Sequence, residues 1–122
     1  MATKSIQRSL KLIKEYRWLY WIVEHWNGYT RRREDLFNCI DILCLDDKRS
    51  IGIQAMGSDI ASHRRKVLEN PFVIPWLTAG NELQFWAFRK LKKKRGMKAT
   101  YWDCKKIDVL IVKGEIYFEE RK

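Results

Sequence analysis

Proline is nearly absent from this sequence, with Pro71 and Pro75 the only two in 122 residues, and glycine is sparse at six. Collagen-like repeats and proline-rich linkers are thereby excluded, and no internal repeat or low-complexity tract replaces them. No apolar run approaches the roughly 20 residues that span a bilayer, and the N-terminus lacks the apolar segment of a secretion signal, so no membrane partner and a cytoplasmic location are expected. Cysteine is limited to Cys39, Cys44 and Cys104, an odd count without CxxC spacing. A disulfide framework has no support in that count, and small buried hydrophobes are a better reading than zinc held by the three cysteines and a histidine. Negative charge is also short, with 15 acidic residues against 25 Lys and Arg and a net charge of +10. Such a balance favours a polyanionic partner, nucleic acid before membrane.

Apolar residues make up 46% of the chain, enough to bury one core, and 122 residues leave no room for two ordinary domains. A single domain over 1–122 follows. Ile6, Leu10, Ile13, Leu19, Val23 and Trp26 recur at three- and four-residue steps, which predicts a long helix over 3–26 ended by Asn27-Gly28. Apolar, β-branched runs predict strands over 37–45 and 51–56 joined by the polar turn 46–50. Ser58 is placed to cap a helix over 59–69, and a short helix follows over 72–78. Strands are predicted over 82–91, 101–106 and 107–112, with Lys113-Gly114 as a tight turn into 115–119. The expected class is α/β, a mixed central sheet carrying the long N-terminal helix and a second helix.

Asp41 is the anomaly, a carboxylate among apolar strand residues. Such a group is salt-bridged, exposed at a strand end, or holding a cation. On a helix over 3–26, Glu24 falls in line with Ile13, Arg17 and Tyr20 and borders the buried face, where it either pairs with Arg17 or the arginine run or serves a site. Arg31, Arg32 and Arg33 read as an edge or loop offering phosphate contacts, as do Arg64 and Arg65, and Lys92, Lys93 and Lys94 in the basic cluster 89–95. His63 is a phosphate donor, a surface residue or a general base, in that order. Lys66 shares a helical stripe with Asp59 and Ser62 and is either solvated or turned over the sheet, while Ile60, Arg64, Val67 and Leu68 line another side. Six tryptophans are mainly packing, although one exposed near the basic cluster can stack on an unpaired base.

A strand with Asp41, a hairpin turn, a strand with Gln54, and then a basic helix together resemble the PD-(D/E)XK nuclease superfamily. Holliday junction resolvases and small phage VRR-NUC enzymes are the nearest shapes. Glu24-His-Trp-Asn27, the Asp35 to Leu43 run, Ile53-Gln-Ala and His63-Arg-Arg-Lys66 are similar to divergent phage and prophage members, over roughly residues 3–90. The resemblance implies a restriction-endonuclease-like sheet and a Mg²⁺ or Mn²⁺ site formed by Glu24, Asp41, Gln54 and the carbonyl of Ala55. It also implies a catalytic lysine, for which Lys66 is the candidate because Met56 holds the usual position. Gln54 departs from the commoner Glu, and Asn38 stands where relatives often have Gly.

These readings lead to a metal-dependent endonuclease on DNA, branched or phage-derived substrates included and RNA not excluded, acting as a homodimer as small relatives do. A phage origin would place it in the host cytoplasm. The alternative is a catalytically degenerate nuclease fold that binds nucleic acid, and a third is a phage assembly protein packed against DNA.

Overall fold

The computed structural model describes residues 3–121, apart from the Arg33 side chain. The first helix, α1 (Lys4–Tyr16), starts where the Thr3 hydroxyl accepts the Ile6 N–H at 3.2 Å and buries Ile6, Ser9 and Ile13. It stops far short of the predicted 26. Arg17 takes the left-handed conformation at φ 60°, and its N–H returns to the carbonyls of Ile13 and Lys14. Beyond it the run Trp18-Leu-Tyr-Trp-Ile is rich in aromatic and branched residues that suit a pleated surface, and it forms β1 (Leu19–Ile22). The three- and four-residue spacing continued across this boundary by coincidence.

A small hairpin follows, β2 (His25–Asn27) with β3 (Arg32–Glu34), forming its own two-stranded sheet. The remaining strands are β4 (Ile42–Asp46) and β5 (Arg49–Met56), then, after helices α2 (Ile60–Glu69) and α3 (Val73–Thr78), β6 (Glu82–Lys92), β7 (Thr100–Val112) and β8 (Glu115–Glu120). With β1 they form a six-stranded sheet ordered β1-β4-β5-β6-β7-β8. Among the described residues only β5 and β6, joined through α2 and α3, pair parallel, so the chain is α/β with a mixed sheet. The expected break near residue 106 is absent, and β7 is continuous. Lys113 and Gly114, at φ 52° and 79°, make the anticipated tight turn.

Strand alternation sorts the core into two layers. Ile42, Cys44, Ile51, Ile53, Trp86 and Phe88 pack with Ile6 and Ile13 on the α1 side. Ile40, Met56, Leu83, Phe85, Ile107 and Val109 pack with Val67 and Val73 on the α2–α3 side. Truncating a side chain such as Phe85 to Ala would cost about 3–5 kcal/mol. Gly52 is required by this packing, because a Cβ there would lie 2.7 Å from Cδ1 of Ile40. Helix α2 presents Ile60 and Val67 to the sheet and leaves Leu68 exposed, so these three residues, expected on one side of the helix, are divided. Asp59 rather than Ser58 occupies its N-cap position.

Candidate functional site

Asp41 lies at the entrance to β4 rather than inside a strand. The predicted strand over 37–45 is broken because Phe37 and Asn38 adopt left-handed conformations at φ 54° and 60°, closing a tight loop with a Leu36–Ile40 bridge. Phe37, Cys39 and Asp41 therefore do not share one face of a strand. Asn38 stands where the resemblance implies Gly, and Asn tolerates this backbone better than most residues. The Asn70 side chain donates to the Phe37 carbonyl at 2.8 Å, tying the loop to the end of α2.

The Asp41 main chain binds two neighbouring segments. Its N–H donates to Ile53 O at 2.9 Å, and its carbonyl accepts from Val23 at 2.9 Å and Glu24 at 3.1 Å. Glu24 is therefore held beside Asp41 in the link between β1 and β2, not on a helix as the sequence suggested. The Asp41 side chain accepts the Ala55 N–H through Oδ2 at 2.9 Å. Since Ile42 pairs with Ile53, one step back brings Asp41 opposite Gln54 on the α2 side of the sheet. Glu24, Asp41 and Gln54 thus meet at adjoining ends of β1, β4 and β5.

Gln54 is only 6% exposed, and its Oε1 is buried with no hydrogen-bond partner. A buried acceptor in that state costs free energy until a donor or cation arrives. Asp41 is 7% exposed, and burial, with the charges of Glu24 and Asp35 adding to it, pushes its carboxyl up to about 8 against the Ala55 bond. Asp35 is also raised, chiefly by burial, while its hydrogen bond with Asp41 and the charge of Lys66 oppose the rise. A side-chain hydrogen bond between the two carboxyls raises Asp41 further and lowers Asp35.

Asp35 is the site residue that the sequence did not disclose. It precedes the strand predicted over 37–45, and only the left-handed turn at Phe37 and Asn38 folds it back onto Asp41. A polar cavity of about 480 Å³ lined by Arg32, Glu34, Asp35 and Asn38 opens next to it. Among the described residues no three His, Cys, Asp or Glu side chains stand close enough to hold a metal by themselves. A cation here would need the Gln54 amide oxygen and main-chain carbonyls besides the carboxylates, which is an oxygen set that suits a hard divalent ion. Burial pushes the thiols of Cys39 and Cys44 up to about 12 and that of Cys104 to about 11.

Other expected residues are distributed unevenly around this centre. Lys66 is exposed on α2, within electrostatic reach of Asp35, whereas Met56 is 3% exposed and part of the core. His63 Nε2 donates to Asp59 at 3.1 Å, and its Nδ1 is buried without a partner beside Phe85. Arg31 and Arg65 are exposed, Arg64 lies 5.2 Å from the Phe118 ring, and Arg32 borders the polar cavity. Arg33 pairs with Trp26 through its backbone, and its side chain lies outside the described residues. Strand β6 runs parallel to β5 and continues beyond the Met56–Ala87 pair, so exposed Lys92, Lys93 and Lys94 cap a ribbon at the same end of the sheet as Asp41.

Family models, curated proteins and solved structures offer no match to this chain. No described helix is long and apolar enough to cross a membrane.

Proposed function

We propose that this chain is a metal-dependent endonuclease of the restriction-endonuclease-like type, hydrolysing DNA phosphodiester bonds. The observation that carries the reading is the unpartnered, buried Gln54 oxygen opposite Asp41, with Glu24 at the neighbouring strand end. The antiparallel run β1, β4, β5, followed by α2 and the parallel strand β6, gives a mixed sheet that supports this reading. Glu24, Asp41, Gln54 and the Ala55 carbonyl would hold Mg²⁺ or Mn²⁺, with Asp35 next to them. When bound, such an ion supplies positive charge for the phosphate and a more acidic water.

The chain's own residues have separate tasks. The Ala55 N–H fixes the Asp41 rotamer, and Asp35 keeps a second oxygen donor against it. Arg32, beside the polar cavity, meets the backbone of the nucleic acid. Lys66, on the side of α2 sensed by Asp35, stabilises charge developing on phosphate.

A second reading, a nuclease fold that binds DNA without cutting it, is favoured by Met56 standing buried where the motif has lysine. Labelled duplex, single-stranded and four-way DNA incubated with Mg²⁺, Mn²⁺ or EDTA separates the two. Cleavage that requires the metal and is lost in Asp41→Asn is expected. Binding without cleavage under every condition would move the assignment to the second reading, and cleavage in EDTA would defeat both.

A further inference from the structure

The face of the sheet opposite Asp41 carries a second surface with its own chemistry. Along β6, Phe88, Lys90 and Lys92 alternate onto the α1 side, and their partners across β7 are Cys104, Trp102 and Thr100. Phe88 and Cys104 belong to the core there, so the same row passes from packing into an aromatic and cationic stretch as the ribbon leaves the sheet. Helix α1 meets it. The Arg8 guanidinium lies 3.4 Å from the centre of the Trp102 ring, and Lys90 Nζ lies 5.9 Å from it.

Lys4, Arg8 and Lys11 follow at steps of four and three residues, which sets them along one side of α1. They line a shallow groove of about 360 Å³. Arg8 and Lys11 also line a deeper cleft of about 420 Å³, whose other wall includes Phe88, Tyr101 and Trp102. Two carboxylates, Glu15 and Asp103, border that cleft, and Asp103 is paired with Arg89 at 3.1 Å. Positive charge therefore dominates, and Trp102 remains 47% exposed despite the guanidinium stacked on it.

We propose that this cleft between α1 and the β6–β7 ribbon binds single-stranded nucleic acid, with Trp102 stacking on an unpaired base and Lys4, Arg8, Lys11 and Lys90 meeting its phosphates. An aromatic platform beside a line of cations is the arrangement that holds a strand without reading its sequence. A duplex is a poor fit, because its bases are stacked on one another and present no free face to the indole. An acidic peptide would satisfy the cations and leave the exposed part of the Trp102 ring uncovered. The contact with Trp102 also limits the rotamers of Arg8, so less order is lost when a phosphate binds.

The surface is independent of the nuclease reading, since it lies on the other face of the sheet and uses none of the same side chains. Fluorescence anisotropy of the full chain with labelled oligo(dT) and with a blunt hairpin duplex tests it. Trp102→Ala is expected to weaken oligo(dT) binding about tenfold, the scale of one base–aromatic stack, with duplex binding little changed. Trp102→Phe should retain most of the affinity. The doubly reversed Lys4→Glu/Lys11→Glu chain, altered only at exposed helix positions, should lose as much and show a shallower salt dependence. Wild-type affinity in the double reversal, equal losses for oligo(dT) and duplex in Trp102→Ala, or displacement by polyglutamate as effective as by oligo(dT) would each overturn the proposal.

Discussion

The backbone N–H of Ala55 donates to Oδ2 of Asp41 at 2.9 Å, so the second strand of the central hairpin holds the carboxyl that enters the first. That bond favours the charged form of Asp41, and burial opposes it and wins. The balance between them governs how the molecule responds to pH and to cations.

Stability should fall as pH rises through the range between the ordinary carboxyl value, 3.8, and the folded value of about 8 for Asp41. The folded chain keeps a proton there that the unfolded chain releases, so the contribution of this group is complete below the lower value and is lost towards the upper one. Asp35 is shifted in the same direction and adds to the trend. Urea unfolding in EDTA at pH ~5 and pH ~9 measures it, and Asp41→Asn, which keeps an acceptor for Ala55 and carries no charge, should flatten the profile and be the more stable chain at the higher pH. A wild-type profile as flat as that of the variant would contradict the burial argument.

Divalent cations should reverse this penalty. Mg²⁺ or Mn²⁺ at about 100 times its dissociation constant would stabilise the chain by roughly 2.7 kcal/mol. Gln54→Glu, which replaces a neutral amide oxygen with a carboxylate, should tighten cation binding and raise the melting shift, while Asp41→Asn should abolish it. Thermal melts with and without each ion decide the matter, and no shift in any of the three chains would remove the cation site.

The sheet was legible in the sequence because its strands are apolar runs separated by polar turns, and β5, β6 and the Lys113-Gly114 hairpin lie close to their expected places. The helix end at Arg17 was not legible, since Leu19, Val23 and Trp26 kept a helical spacing while their neighbours carried strand-forming side chains. Asp41, Gln54 and Glu24 were picked out by polarity or resemblance, yet Glu24 was assigned to the wrong element. Asp35 was missed because its role depends on two non-glycine residues in left-handed conformations, which sequence patterns seldom reveal.

Nucleic-acid binding should survive EDTA and fail at high salt, because phosphate contacts release counterions. Reversing Lys92, Lys93 and Lys94, at the tip of the β6–β7 ribbon, should weaken duplex, single-stranded and branched DNA about equally. Filter binding across a salt series would show a smaller slope for the reversed chain. Unchanged binding would relocate the duplex contacts to Arg31, Arg32 and Arg65.

Self-association is expected at the other end of the sheet order. Strand β1 is a terminal strand, and exposed Leu19, Trp21 and Leu45 surround an apolar groove of about 320 Å³ with Tyr20 and Leu43. Two copies related by a two-fold axis can pair their β1 edges antiparallel and cover that groove. Light scattering at micromolar concentration should show a dimer, and Trp21→Lys should convert it to monomer without loss of folding. A monomeric wild type would exclude this contact.

Lys66 is the last test of chemistry against binding alone. The motif position is closed to a lysine, since Met56 packs among Ile40, Val67 and Phe85, and an ammonium there would be buried at substantial cost. Lys66 is exposed instead, and its charge acts on Asp35. If that charge is needed only as phosphate reacts, Lys66→Ala should reduce cleavage at least about a hundredfold while leaving DNA affinity and thermal stability near those of the unaltered chain. Lys66→Arg keeps the cation with altered reach and should recover part of the rate. Single-turnover cleavage together with anisotropy on the same preparations distinguishes the outcomes. Equal losses of binding and cleavage in Lys66→Ala would make it an ordinary phosphate contact, and no loss of either would leave the α2 lysine outside the reaction.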